Sequence, residues 1–166
     1  REVDAIIHLV RCFESEKITH VNSKISPVED LETIKTEIIL SDLDIVQKKL
    51  EKSKKKLLEE KEIKILEEKS DMLNRGEEVR INDVDEEKFL SSIGLLSIKP
   101  KIIVCNVDEE NISKGNKYTQ DIKKKYPNEK IINICADIED QLSGLDKNEK
   151  ENFMKNNYFF FYIKII

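Results

Sequence analysis

The 166-residue sequence has no tryptophan, and glycine (4), proline (3), cysteine (3) and histidine (2) are all scarce. So little glycine and proline excludes collagen-like and mucin-like chains and leaves room for long uninterrupted helices. The three cysteines, Cys12, Cys105 and Cys135, lie far apart inside apolar runs. No Cys-x-x-Cys pair or Cys/His spacing accompanies them, which excludes the usual zinc sites; they read as reduced core residues of a cytosolic, cytoplasmic protein. A surplus of positive charge is missing too, since 29 basic against 34 acidic side chains give −5 at pH 7. Any contact with nucleic acid must therefore come from a local patch. Nor is there an apolar run of membrane-spanning length. Tyr158 to Ile166 has nine residues, where a spanning helix needs about 20, so no membrane is implied and the segment reads as a strand or an out-of-frame tail. The chain opens Arg1-Glu2-Val3-Asp4 without a methionine or a signal peptide, and reads as a fragment missing an N-terminal portion.

What the sequence has in quantity is charge, at 38% of residues against 39% hydrophobic. That balance fits long solvated helices attached to a modest core, on a length that holds one domain or a small domain with a protruding element.

Three apolar runs read as strands. Asp4 to Cys12 (DAIIHLVRC) is nearly continuous, interrupted by His8, and suits a strand buried on both faces of a parallel sheet. Lys101 to Cys105 (KIIVC) follows Pro100, and Ile131 to Ala136 (IINICA) is the third. Between the last two, Asn116 to Tyr126 (NKYTQDIKKKY) carries a short helical pattern stopped by Pro127. The resulting β-α-β unit implies a right-handed crossover and a parallel sheet.

Between the first two strands the pattern changes. From Val28 no Gly or Pro occurs until Gly76, and Ile39, Leu43, Val46, Leu50, Ser53 and Leu57 recur in steps of 4 and 3. A second seam runs Ile63, Leu66, Ser70, Leu73. Two such seams predict an antiparallel helical hairpin of coiled-coil type, turning near Glu59 to Glu62. Asp85-Glu86-Glu87 then opens a short helix that Gly94 ends.

In open parallel sheets ligands bind beyond the carboxyl ends of the strands, which directs attention to Arg11-Cys12-Phe13, Asn106-Val107-Asp108-Glu109 and Cys135-Ala136-Asp137. A carboxamide held at a strand end, as Asn106 would be, can pair with the N6/N7 edge of a purine, and Glu109 sits where a second base contact could form. The competing reading is that Asn106 and Glu109 merely organise a strand-to-loop turn. His8 reads as a hydrogen-bonded core residue and His20 as a loop residue; neither is a candidate catalytic base.

Taken together, REVDAIIHLVRCFE, ITHV at Ile18 to Val21, SPVEDLETIKTEIILSDL from Ser26, LSIKPKIIVCNVDEE from Leu96 and CADIEDQLSGLDKNEKENFM from Cys135 resemble the YchF family of Obg-like P-loop ATPases and GTPases. The resemblance runs from Arg1 to about Met154. It implies an α/β fold, part of a P-loop NTPase G-domain, with a parallel sheet and an inserted helical hairpin. The expected divisions are 1–27 for the first strand and loop, 28–95 for the hairpin insertion, 96–155 for the rest of the G-domain, and 156–166 for an atypical aromatic tail. In the family the guanine-reading Asn-Lys-x-Asp is replaced by Asn-x-x-Glu, matched here by Asn106, Val107 and Glu109, and ATP is favoured over GTP. The chemistry is legible: an Asp in the usual motif accepts from guanine N1-H and N2-H2, whereas adenine presents an acceptor at N1. The resemblance further implies that Cys135-Ala136 forms the last loop flanking the base and that Phe13 lies near the nucleotide pocket. The implied cofactor is ATP or GTP, with Mg²⁺ in the intact protein.

No Gly-x-x-x-x-Gly-Lys-[Ser/Thr] occurs in the chain, so the phosphate loop and the Mg²⁺ ligands are not among these residues and no catalytic or metal residue is assigned. The chain alone is not expected to hydrolyse nucleotide. Lys48, Lys49, Lys52, Lys54, Lys55 and Lys56, with Glu51 as the one acid among them, form the one concentrated basic patch, either a solvated helix face or a surface for RNA or the ribosome. Two functions stay open: the nucleotide-binding part of a YchF-type NTPase, or a non-catalytic hairpin module that binds RNA or protein. A truncated gene product without function is a third.

Overall fold

The computed structural model describes residues 3–15, 25–53 and 58–156. In chain order the elements are β1 (Ile6–Arg11), α1 (Pro27–Ser53), α2 (Glu60–Asn74), α3 (Val84–Ser92), β2 (Lys101–Asn106), a short 3-10 turn (Glu109–Asn111), α4 (Lys117–Lys125), β3 (Lys130–Ile134), α5 (Ala136–Ser143) and α6 (Lys147–Asn156). The expected segments Ile18 to Val21 with His20, Lys54 to Leu57, and Tyr158 to Ile166 lie outside the described residues. Two compact units are distinguished, Arg1–His8 with Glu29–Ile102 and Leu9–Val28 with Ile103–Ile166.

The strands form one parallel sheet in the order β1-β2-β3. Ile6 N–H donates to Pro100 O at 2.9 Å and Cys12 N–H to Asn106 O at 2.8 Å. Six positions along β1 (12 − 6) thus match six along β2 (106 − 100), the constant offset that parallel strands require. The expectation that the first strand is buried on both faces is corrected here. His8, Val10 and Cys12 are buried, but Ile7 and Leu9 are 66% and 59% exposed. Among the described residues β1 therefore has one face packed and the other open. His8 itself is buried, as a core residue would be.

In the first unit, α1 and α2 are joined by six residues, 54–59, and feed one core. Ile39 and Val46 of α1 pack with Leu66 and Leu73 of α2, and with Val79, Leu90 and Leu95. Of the predicted seam residues, these four share the core and Leu43 and Leu50 pack against it; Ile63 and Ser70 are not part of it, Leu57 lies outside the described residues, and the core is completed by α3 and its flanks, which the two-helix pattern did not include. The predicted turn near Glu59 to Glu62 also moves: Glu60 already begins α2. Glu59 is its N-cap, and Glu62 accepts the Glu59 N–H at 2.9 Å, closing a capping box. Gly76, at φ +74, takes the left-handed conformation that ends α2.

Two charged side chains are buried in this unit. Asp42 of α1 is fully buried and accepts Leu96 N–H at 2.9 and 3.1 Å and Ser97 N–H at 2.8 Å. It stands in for backbone partners that the turn after α3 lacks. Lys69 of α2 is fully buried between Glu86 of α3 (2.6 Å) and Glu68 (2.9 Å). Burial works against its charge, yet the hydrogen bonds to Glu86 and Glu68 outweigh that and raise the Lys69 pKa. Asn82 donates to Glu86 at 3.0 Å, and Asp83 caps α3 through Glu86 N–H at 2.8 Å.

Candidate functional site

The ends of β1, β2 and β3 converge in the second unit. Asn106, the last residue of β2, is held on both its backbone and its side chain. Its carbonyl accepts the Cys12 N–H at 2.8 Å and its Oδ1 accepts the Ala136 N–H at 3.0 Å. Ala136 is the first residue of α5, whose opening N–H groups have no partner within the helix. A donor at Ala136 demands an acceptor, so the carboxamide oxygen faces α5 and the two Nδ2 protons face away.

The remaining sequence candidates fall around this residue. Val107 is buried, and its N–H donates to Ile134 O at 2.8 Å, extending the β2–β3 ladder. It contributes to the core beneath the motif rather than an exposed contact. Asp108 caps the 3-10 turn, accepting Asn111 N–H at 3.1 Å, which leaves Glu109 exposed in the first position of that turn. The Cys135 side chain is buried against Ile138, so its backbone alone can flank a ligand. Ala136, expected in a loop, instead opens a helix, because Cys135 takes an extended N-cap conformation from which α5 starts directly.

Phe13 is half-buried in the loop after β1. The Arg11 guanidinium lies 4.9 Å from its ring centroid, while Arg11 Nε donates to Phe13 O at 3.0 Å. One face of the ring is thereby taken by a cation. The same loop is tied to α4, where Asn116 Nδ2 donates to Cys12 O at 2.6 Å and the Tyr118 hydroxyl to Glu14 Oε1 at 2.8 Å. That bond to Glu14, with burial and the Glu14 charge acting the same way, raises the Tyr118 pKa. On the adjoining strand a hydrogen bond with Cys12 lowers the Cys105 thiol, against the effect of burial.

Asn116 and Tyr118 were not singled out as functional by sequence reasoning. An Asn ahead of a helical pattern signals a cap, but nothing in it names Cys12 as the second partner. Gly115 precedes this cap at φ +71, and a Cβ there would stand 2.3 Å from Thr119 Oγ1, so neither conformation nor space admits a side chain.

The lysine patch is partly described. Lys48 pairs with Asp44 at 2.7 Å on the exposed face of α1. Lys49 is half-exposed and Lys52 is exposed in the last turn, whereas Lys54, Lys55 and Lys56 lie outside the described residues. Among the described residues no group of three or more His, Cys, Asp or Glu is disposed to hold a metal ion, and no helix is long and apolar enough to cross a membrane.

No family model matches the chain. Among curated proteins it is similar to the ribosome-binding ATPase YchF of Bacillus subtilis, 34% identical over 93% of this chain and 45% of that protein. To the protein of the same name from Mycoplasma pneumoniae it is 35% identical, over 93% and 46%. Among solved structures it matches the Schizosaccharomyces pombe YchF GTPase with a TM-score of 0.77 and 28% identity, covering 94% of this chain and 46% of that one. The chain thus spans about half the length of the relatives it matches.

Proposed function

We propose that this chain, a YchF-family sequence along 93% of its length, supplies the base-reading half of a nucleotide site whose whole protein binds and hydrolyses ATP or GTP. The observation that carries the reading is the Asn106 Oδ1 to Ala136 N–H bond. With the oxygen turned towards α5, the carboxamide presents its Nδ2 donors on the other side, and N7 is the acceptor common to adenine and guanine. Asn106 then recognises a purine without choosing between the two.

Discrimination falls to Glu109. A carboxylate near the Watson–Crick edge accepts from guanine N1-H and N2-H2 but is repelled by adenine N1. Glu109 is exposed and one methylene longer than the Asp of the guanine-specific motif, free to swing clear. Phe13, with Arg11 on one face, is assigned to stack against the base with the other. Cys135 and Ala136 flank it through backbone, and Val107 supports the motif from the core. The phosphate-binding loop and the Mg²⁺ ligands are assigned to the portion of the relatives' length that this chain does not span. Mg²⁺ there would neutralise charge on the transferring phosphoryl group; no residue of this chain takes that role.

The two curated relatives quoted above are named ribosome-binding. By analogy the partner surface is the end of α1, where Lys49 and Lys52 precede Lys54, Lys55 and Lys56, and the protein acts in the cytoplasm. The divisions at 1–27, 28–95 and 96–155 stand as part of the same proposal.

Competition titration of the full-length protein tests the base reading. ATP is expected to bind at least as well as GTP. A GTP preference of more than tenfold, about 1.4 kcal/mol, would mean that Glu109 enforces guanine after all.

A further inference from the structure

The loop carrying Phe13 is held from far along the sequence as well as by its neighbours. It is strapped to the first turn of α4, which arrives 104 residues later, by Asn116 to the Cys12 carbonyl and by Tyr118 to Glu14. Asn116 works at both ends of its amide: Oδ1 accepts the Thr119 N–H at 3.2 Å as the helix cap, and Nδ2 donates to Cys12 O at 2.6 Å. Cys12 in turn donates its N–H to Asn106 O at 2.8 Å. The residue before Phe13 is therefore bonded on one side to the residue assigned to the base and on the other to α4. Beyond Phe13, Arg11 secures the carbonyls of Phe13 at 3.0 Å and Ser15 at 3.4 Å.

A ring that must be ordered when a ligand arrives spends part of its stacking energy on that ordering, and a ring already fixed does not. We propose that Asn116 is a positioning residue for purine recognition, holding the Cys12 carbonyl so that Phe13 is preset as the stacking surface; this rests on the assignment of Phe13 to the base made above. Tyr118 is the second strap. Asn116 touches no nucleotide and acts through Cys12 and Phe13.

The test uses the full-length protein, with ATP and inorganic triphosphate as probes, and the variants Asn116→Ser, Tyr118→Phe, Phe13→Ala and the double variant Asn116→Ser/Phe13→Ala. Serine keeps the cap acceptor for Thr119 N–H but is too short to reach Cys12 as well. Asn116→Ser is expected to weaken ATP about three- to tenfold, with triphosphate affinity unchanged and the fold retained, and to have no further effect on ATP once Phe13 is alanine. Tyr118→Phe is expected to act in the same direction by less. If Phe13→Ala weakens ATP while Asn116→Ser does not, or if the two losses simply add, the positioning role is overturned and the base reading stands. If Phe13→Ala leaves ATP affinity unchanged, the base assignment of Phe13 falls and the inference falls with it. Equal losses of ATP and triphosphate in Asn116→Ser would mark it as structural only.

Discussion

Asn106 and Ala136 are joined by one hydrogen bond of 3.0 Å across 30 residues of sequence, and it ties the end of β2 to the start of α5. Because α5 begins with unpaired N–H groups, the bond both caps the helix and orients the carboxamide. A recognition group whose rotamer is set by a helix N-terminus does not have to be ordered by its ligand.

Replacing Asn106 with aspartate separates these two roles. Asp keeps an acceptor for Ala136 N–H and loses both donors, so the fold should survive while purine affinity falls by about tenfold or more. ATP and GTP should lose equally, because N7 is common to both. Parallel titrations with the two nucleotides check this, and a loss confined to one would remove Asn106 from N7.

Asp42 predicts a purely structural loss. Asp42→Ala leaves the N–H groups of Leu96 and Ser97 without their acceptor, at about 1–3 kcal/mol for each group left unpaired in a buried setting. Asp42→Asn, which retains one acceptor oxygen, should cost less. Urea denaturation of the two variants orders them.

Lys69 and Glu86 form a buried pair, so removing one partner is worse than removing both. Lys69→Met is expected to cost about 3–5 kcal/mol by stranding the Glu86 carboxylate, and Lys69→Met/Glu86→Leu to recover most of it. The pH dependence follows from the raised Lys69 pKa. Its contribution is complete below the ordinary lysine value of about 10.4 and is lost as pH climbs through the folded-state value above that. Denaturation midpoints measured from neutral to strongly alkaline pH should fall more steeply for wild type than for the double variant.

At the end of α1 the lysines should not be equivalent. Lys48 already pairs with Asp44 at 2.7 Å, although an exposed pair of this kind is weak. If this region binds RNA or the ribosome, Gln in place of Lys52, Lys54, Lys55 and Lys56 should weaken association and flatten its salt dependence. Lys48→Gln alone should change little. An unchanged salt slope in the fourfold variant would leave the lysines as a solvated helix face.

Much of the architecture follows from short-range pattern. Apolar runs marked the three strands, and Asn116 with Pro127 bracketed α4, which spans Lys117–Lys125. Gly76 stopped α2, and periodic Ile39, Val46, Leu66 and Leu73 named the residues that share a core. Each of these depends on a residue and its near neighbours, where propensity and periodicity act. The residues matching Asn-x-x-Glu were equally visible, as was their position at the end of a strand.

Tertiary structure alone decided the rest. Which face of β1 is covered depends on what packs against the sheet, so Ile7 and Leu9 could not be told from Val10 by hydropathy. Nothing in the local sequence marks Lys69 and Asp42 as buried; α3 and the Leu96 turn supply the partners that bury them. The acceptor that orients Asn106 and the donor that straps Cys12 are made across 30 and 104 residues. Such bonds exist only after the chain has closed loops of that length, and no local pattern of residue types encodes their partners.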